Sequence, residues 1–268
     1  FTLYEDGVRQ EITDFAVGTV PVNVVLLIDV SGSVATEIND IRLAALAFLR
    51  ALGPKDRVAI IRFNHKVEEV LDWETDKQRL QRALFQLPAV GNTAFYKALY
   101  VAANKLKTVE GRRAILLFTD GVDTYDGPDQ KTFEEAVEAV RRAEVIVYVI
   151  SKTKAIRAFL KGERSPFIFR PLDPNDVYVR LYLQVLDQAE EQLIELAEKT
   201  GGRIYFPLDQ SELRDAYAQI AEELSTQYIL RYVPKNTARD GRFRRIRVMT
   251  GNPAYIAIAR EGYYAPNQ

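Results

Sequence analysis

Apolar runs of strand length alternate along this chain with stretches whose apolar positions recur every three to four residues. Val22 to Ile28 (VNVVLLI) is apolar at all but one position, the pattern of a strand covered on both faces. From Ala35 to Leu52, apolar residues at Ile38, Ile41, Leu43, Ala45, Leu46, Phe48, Leu49 and Leu52 keep a 3.6-residue period, and Gly53-Pro54 stops the helix. The cycle then repeats. Strands are predicted over Arg57 to Phe63, Arg113 to Thr119, Val145 to Ser151 and Ile204 to Phe206, with Val67 to Leu71 as an antiparallel partner. Helices are predicted over Asp76 to Phe85, Ala94 to Leu106, Phe133 to Arg142, Gln188 to Lys199 and residues 211–224; Gly201-Gly202 suits a left-handed cap after the fourth of these. Strands alternating with helices imply parallel pairing through right-handed crossovers. The expected fold class is therefore α/β, a doubly wound, mostly parallel sheet flanked by helices, over residues 21–225.

Three segments fall outside that repeat. Residues 1–20 open with two short alternating stretches around Asp6-Gly7, a dipeptide that tolerates the positive φ angles of a tight hairpin. Residues 226–268 carry three strand-like runs, TQYILRYV, FRRIRVMT and YIAIARE, and are expected to join the hairpin in one small accessory β-sheet, because neither piece is stable alone. Residues 152–187 stand where a short strand-to-helix loop is usual and read as an insertion; its aromatics Phe167, Phe169, Tyr178 and Tyr182 either form a partner surface or pack the insertion onto the core.

Composition narrows the function classes. Thirty-six basic residues nearly cancel 37 acidic ones, so no whole-chain field selects nucleic acid or an anionic membrane. No apolar run approaches the roughly 18–20 residues of a membrane span. The absence of cysteine removes disulfides, thiolate metal sites and cysteine nucleophiles. The chain opens on Phe1 and shows no signal peptide, as expected of a processed product or an excised piece. The single histidine, His65, leaves neither a Ser-His-Asp triad nor a histidine-rich zinc site and reads as a turn residue, and there is no phosphate-binding G-x-x-x-x-G-K-[ST] loop. The alternating Arg242, Arg244, Arg245 and Arg247 describe a half-solvated strand rather than a nucleic-acid patch.

The candidate chemistry lies at the carboxyl ends of the buried strands. Asp29, Ser31 and Ser33 follow the first of them, where alternate positions in an extended turn aim short oxygen side chains at one locus and Gly32 lets the backbone bend. Asp120 ends the second buried strand, and Thr93 adds a hydroxyl from a third loop. Carboxylates and hydroxyls without imidazole or sulfur suit a hard cation, Mg²⁺ first, then Mn²⁺ or Ca²⁺.

The D-x-S-x-S run of Asp29, Ser31 and Ser33, the later Thr93 and the Thr119-Asp120-Gly121 strand end together resemble the metal-ion-dependent adhesion site of von Willebrand factor type A domains. Leu193 to Phe206 resembles the end of such domains. The flanks, Tyr4 to Ile12 and Ala259 to Tyr264, resemble a bacterial subgroup abundant in acidobacteria. The resemblance implies that Ser31 and Ser33 ligate the metal directly, Thr93 directly or through water, and Asp29 and Asp120 in either way according to state. It further implies that a glutamate or aspartate of a protein partner completes the shell, in a secreted or cell-envelope setting. Asn92 stands where many relatives carry a second glycine, and Asp123 is a candidate to support the ligands from behind.

The expected function is thus metal-dependent protein binding, for adhesion or assembly, without turnover. Two alternatives stay open: a hydrolase using the same ion as a Lewis acid, and a scaffold whose metal site is vestigial. A phosphatase with a strand-end aspartate nucleophile would need an acid/base carboxylate two residues on, where Ser31 stands.

Overall fold

The chain enters through a hairpin, β1 (Thr2–Glu5) and β2 (Val8–Gln10), whose two-residue turn holds Asp6 at φ 47° and Gly7 at φ 80°, the mirror-image turn that matches strand twist. The computed structural model describes residues 1–18, 20–31, 38–86, 92–160 and 176–267. After β3 (Ile12–Val17) comes β4 (Val22–Asp29), in which all eight residues are buried. It pairs in parallel with β5 (Arg57–Phe63) on one side and β7 (Arg112–Thr119) on the other. An antiparallel β6 (Val67–Glu74) closes one edge, and β8 (Ile146–Ser151) and β9 (Ile204–Tyr205) extend the other, for the order β6-β5-β4-β7-β8-β9.

Helices cover both faces because alternate side chains of the central strands point to opposite sides. Val24, Leu26 and Ile28 pack with Leu116, Phe118 and Ile60 against α1 (Ile38–Ala51), α2 (Lys77–Phe85) and α7 (Gln210–Thr226). Val25 and Leu27 pack with Ile61 and Leu117 against α3 (Phe95–Lys107), α4 (Phe133–Arg142) and α6 (Val177–Thr200). Each such aliphatic side chain contributes about 1.5–3 kcal/mol on burial. Local signals set the helix starts: Asp76 caps α2, Thr132 and Glu135 form a reciprocal capping box at α4, and Asp209 caps α7. The expected α/β architecture is the one observed. Since β5 lies on one side of β4 and β7 on the other, the strand order reverses between β4 and β7, and a crevice for ligands is expected there.

Three sequence expectations change. α6 begins at Val177 rather than Gln188, because Asp176 caps it and Val179, Leu186 and Leu193 carry one apolar face through its whole length. A helix that periodicity did not flag, α5 (Thr153–Leu160), precedes it. The terminal segments also do not form a single sheet. β11 (Phe243–Met249) and β12 (Gly262–Tyr264) join the hairpin in the order β12-β11-β1-β2, whereas β10 (Tyr228–Tyr232) pairs with β3 in a separate two-stranded ladder. The run YIAIARE is not a strand; Tyr255 and Ile256 are exposed there, and the pairing residues lie just beyond it.

The small sheets are tied together and to the body by polar aromatic contacts. The buried Glu5 carboxylate accepts hydrogen bonds from Tyr232 (2.7 Å) on the ladder and Tyr263 (3.0 Å) on the sheet. The Arg141 guanidinium of α4 lies 4.0 Å above the Phe243 ring and ion-pairs with Glu261 at 3.2 Å, while Arg142 lies 4.1 Å from the Tyr264 ring.

Candidate metal centre

Asp29 ends β4 at the point where the strand order reverses, with its side chain fully buried. The next residue keeps the ladder, Val30 N–H donating to the Phe63 carbonyl at 2.8 Å. Ser31 N–H then donates to Asp29 Oδ1 at 2.9 Å, so the aspartate itself turns the chain out of the sheet. On the neighbouring strand Thr119 Oγ1 accepts from Gly121 N–H (3.0 Å) and therefore directs its own proton to Asp29 Oδ2, 2.9 Å away. Both oxygens of Asp29 are thus oriented before any ligand arrives.

Asp120 follows Thr119, 3% exposed, and its Oδ1 accepts from Val122 N–H at 3.0 Å. Gly121 between them has φ +79°, and a Cβ there would stand 2.7 Å from Leu193 Cδ1 and 3.3 Å from the Ala189 carbonyl. Glycine at this position is what lets α6 lie directly against the Asp120 turn.

Thr93 arrives from the third segment, also buried. Its N–H donates to Thr124 Oγ1 (3.0 Å) and its carbonyl accepts from Thr124 N–H (2.9 Å), while Ala94 N–H reaches the Asn64 carbonyl at 2.7 Å. Asp123 fastens the same pair of segments. One oxygen accepts from Tyr96 N–H at the start of α3 (2.8 Å) and the other from Tyr125 N–H (2.9 Å). Asp123 therefore acts as a brace and helix cap, and its oxygens are already turned toward backbone amides.

Electrostatics single out the two buried carboxylates. Burial, and then the charge of Asp120, push the Asp29 carboxyl up from 3.8 to about 6, against hydrogen bonds from Ser31 and Thr119 that lower it. After burial, the largest influences on Asp29 are Asp120, Ser31 and Thr119; the buried Lys152 stands beside them at the end of β8, its N–H donating to the Thr119 carbonyl at 3.1 Å. Tyr182 of α6 senses the same pair: burial first, then the charges of Asp120 and Asp29, raise its phenol to about 12.

Of the five sequence-predicted ligands, Asp29, Ser31 and Asp120 converge at one sheet edge, and Thr93 is bonded to the loop that Asp120 begins. Ser33, with residues 32 and 34–37, lies outside the described residues, as do Phe167 and Phe169 of the insertion. Sequence reasoning placed Thr119 in the strand-end motif without a role of its own, gave none to Thr124, and read Tyr182 only as an aromatic of the insertion. The first two are short hydroxyl residues flanking Asp120, and only their pairing across segments reveals what they do. Among the described residues no three carboxylate, imidazole or thiolate side chains gather into a metal cluster, so the fit to a cation rests on two buried carboxylates beside Ser31. Two buried carboxylates beside hydroxyl oxygens are the donor chemistry of a hard divalent ion. A cavity of about 540 Å³ between α6, β9 and α7 lies at the far edge of the sheet and shares no residue with this site.

Comparison with known proteins agrees with the fold. Residues 24–122, which contain Asp29, Thr93 and Asp120, match the family model of the von Willebrand factor type A domain. Solved structures with the same fold include a von Willebrand factor type A protein from Catenulispora acidiphila (16% identity, TM-score 0.55, covering 76% of this chain and 42% of that one). Proximal thread matrix protein 1 of the mussel byssus, in a form with a zinc-occupied MIDAS motif, aligns at 14% identity and TM-score 0.59, over 83% of this chain and 50% of that one. The pilus adhesin SpaC of Lactobacillus rhamnosus GG in its open conformation aligns at 15% identity and TM-score 0.57, over 83% and 32%. This chain therefore spans half or less of the length of each of these three. No curated protein matches it. The six-stranded body has the von Willebrand factor type A fold, a central sheet flanked by helices, with small separate β-structure at the side.

Proposed function

We propose that the carboxyl edge of β4 and β7 binds one divalent cation, Mg²⁺ in the first place, and that the ion holds an aspartate or glutamate of a partner protein. The observation that carries this reading is the buried Asp29 and Asp120 pair at one sheet edge, where the charge of Asp120 helps to raise the Asp29 carboxyl. A divalent ion would offset the repulsion between the two. Ser31, Asp29 and Asp120 would hold it together with Thr93 and Ser33, and an incoming carboxylate would complete an all-oxygen shell. In this reading the site binds without turnover, and the groups bonded to the pair, Thr119 Oγ1 and the N–H of Ser31 and Val122, serve to orient it. The pilus adhesin and the byssus matrix protein among the structural neighbours support adhesion or assembly as the task, and a secreted or cell-envelope location. No described helix is long and apolar enough to cross a membrane.

Calorimetric titration with MgCl₂ after chelator treatment tests the reading. The wild type should bind one equivalent, and Asp120→Ala, with an unchanged circular dichroism spectrum, should bind none. Equal heats from both proteins would overturn it.

A further inference from the structure

The run AYIAIA, residues 254–259, has the composition of a strand and forms none. All six residues are uncharged and apolar or aromatic, and five are exposed, among them Tyr255 at 69%, Ile256 at 90% and Ile258 at 52%. From Ile256 to Arg260 no backbone N–H or C=O has a hydrogen-bond partner among the described residues. Scattered exposed apolar residues are ordinary, but six in succession with an open backbone make a strand without a sheet.

The same chain offers a sheet edge that lacks a strand. β9 ends the six-stranded sheet and is bonded to β8 alone. Val149 N–H donates to the Arg203 carbonyl at 2.8 Å, and in a parallel ladder this register turns the N–H and C=O of Ile204 away from β8. Neither group has a partner among the described residues. Because α6 and α7 cover opposite faces of the sheet, the cavity of about 540 Å³ that they border with Ile204 and Tyr205 lies over this open edge, and Ile194 and Ala197 give it an apolar wall. The other edge of the sheet is blunted by charge: β6 carries Glu68, Glu69 and Asp72, paired with Arg62 and Lys105. Run and open edge meet at Gly201, just before β9, where an added Cβ would stand 2.4 Å from Arg260 N and 2.5 Å from the Ala259 carbonyl carbon.

We infer that residues 254–259 of one chain add as an edge strand to β9 of a second copy, in a twofold dimer where each chain gives a run and receives one. Backbone pairing at Ile204 sets the register, and the isoleucines of the run supply apolar side chains for the cavity. A second copy is the occupant because both halves of the contact stand on this chain at one place. A twofold axis beside Gly201 satisfies both at once, whereas a contact between distant patches would propagate into a filament. The contact shares no residue with the Asp29 and Asp120 edge and does not depend on an ion there.

Sedimentation over a range of concentration, together with amide hydrogen exchange, tests it. The wild type should pass from monomer to dimer, and the amides of Ile204 and of residues 256–259 should slow together by about tenfold or more as it does. The double variant Ile256→Asp, Ile258→Asp alters exposed side chains only, so it should keep its circular dichroism spectrum and stay a monomer with both sets of amides fast. A dimer in which Ile204 exchange does not slow overturns β9 as the acceptor. A double variant that dimerises as well as the wild type overturns the run as the donor. Growth past the dimer into open chains overturns the twofold exchange. A wild type that stays a monomer overturns the dimer, and slow Ile204 exchange in that monomer would place the pairing within one chain.

Discussion

Replacing Asp29 by asparagine offers the sharpest test of the buried carboxylate pair, because burial beside Asp120 sets the sign of the effect. The Asp29 carboxyl is raised from 3.8 to about 6, so the folded apo-protein holds a proton there that the unfolded chain has already released. A carboxyl raised in this way adds stability that is fully present below about pH 4 and is lost as the pH rises through about 6. A rise of this size corresponds to about 3 kcal/mol. Measured in EDTA, the wild type should therefore lose about 2.4 kcal/mol relative to Asp29→Asn between pH 4 and 7, part of the full effect having already gone by pH 4. For a chain of this size that is roughly 5–10 °C in melting temperature.

The comparison must be made across pH, since Ser31 N–H and Thr119 Oγ1 both donate to Asp29 and the asparagine amide would face one of them as a second donor. That cost is the same at every pH and drops out of the slope. Magnesium at a hundred times its dissociation constant should then restore about 2.7 kcal/mol to the wild type at pH 7 and nothing to the variant. Urea denaturation at half-unit pH steps, with EDTA or MgCl₂, reads all of this. A wild-type-to-variant gap that stays flat from pH 4 to 7 in EDTA would refute a raised Asp29 carboxyl, and equal stabilisation of both proteins by Mg²⁺ would refute Asp29 as part of the ion site.

Thr119→Val removes the donor to Asp29 Oδ2 and the acceptor of Gly121 N–H, so Mg²⁺ affinity should fall about tenfold, the worth of one hydrogen bond to a charged group, while Thr119→Ser should restore it in calorimetry. Loss of affinity in both variants would mean that the methyl packing, and not the hydroxyl, matters. Arg141→Ala removes the guanidinium from the Phe243 ring and from Glu261, costing roughly 1–2 kcal/mol at the small sheet. Hydrogen exchange should accelerate in β11 and β12 and stay unchanged in β4 and β7; uniform acceleration would show that the small sheet and the α/β body unfold as one unit.

The α/β architecture was legible because Val22 to Ile28 and Arg113 to Thr119 are apolar on both faces, and only a parallel strand between helix layers buries such a run. Asp29 and Asp120 could be read as partners because each is the first charged side chain at the end of such a strand, and parallel neighbours deliver their ends to one edge. The sheet at the side was harder. TQYILRYV and FRRIRVMT have the same alternation, and nothing local says that Tyr228–Tyr232 will pair with Ile12–Val17 while Phe243–Met249 pairs with Thr2–Glu5. That choice is made by long-range contacts such as the two tyrosines that converge on Glu5. The early start of α6 escaped for a related reason: its first turns are apolar on the exposed side as well, which blurs the amphipathic period that marks a surface helix.

That blurred period and the position of Gly121 belong to one arrangement. Tyr178, Leu181 and Val185 stand exposed on α6, and a loop with no helix against it would not require the absence of a Cβ at residue 121. Because Leu193 stands where a Cβ at residue 121 would lie, the turn that orients Asp120 cannot shift toward α6 without displacing it, and Val122 ties the same turn to the cluster of Leu160, Val179 and Leu186. The Asp120 turn and α6 are thus held together by direct packing, so a change in the packing of Leu193 should be felt at the Asp120 carboxylate.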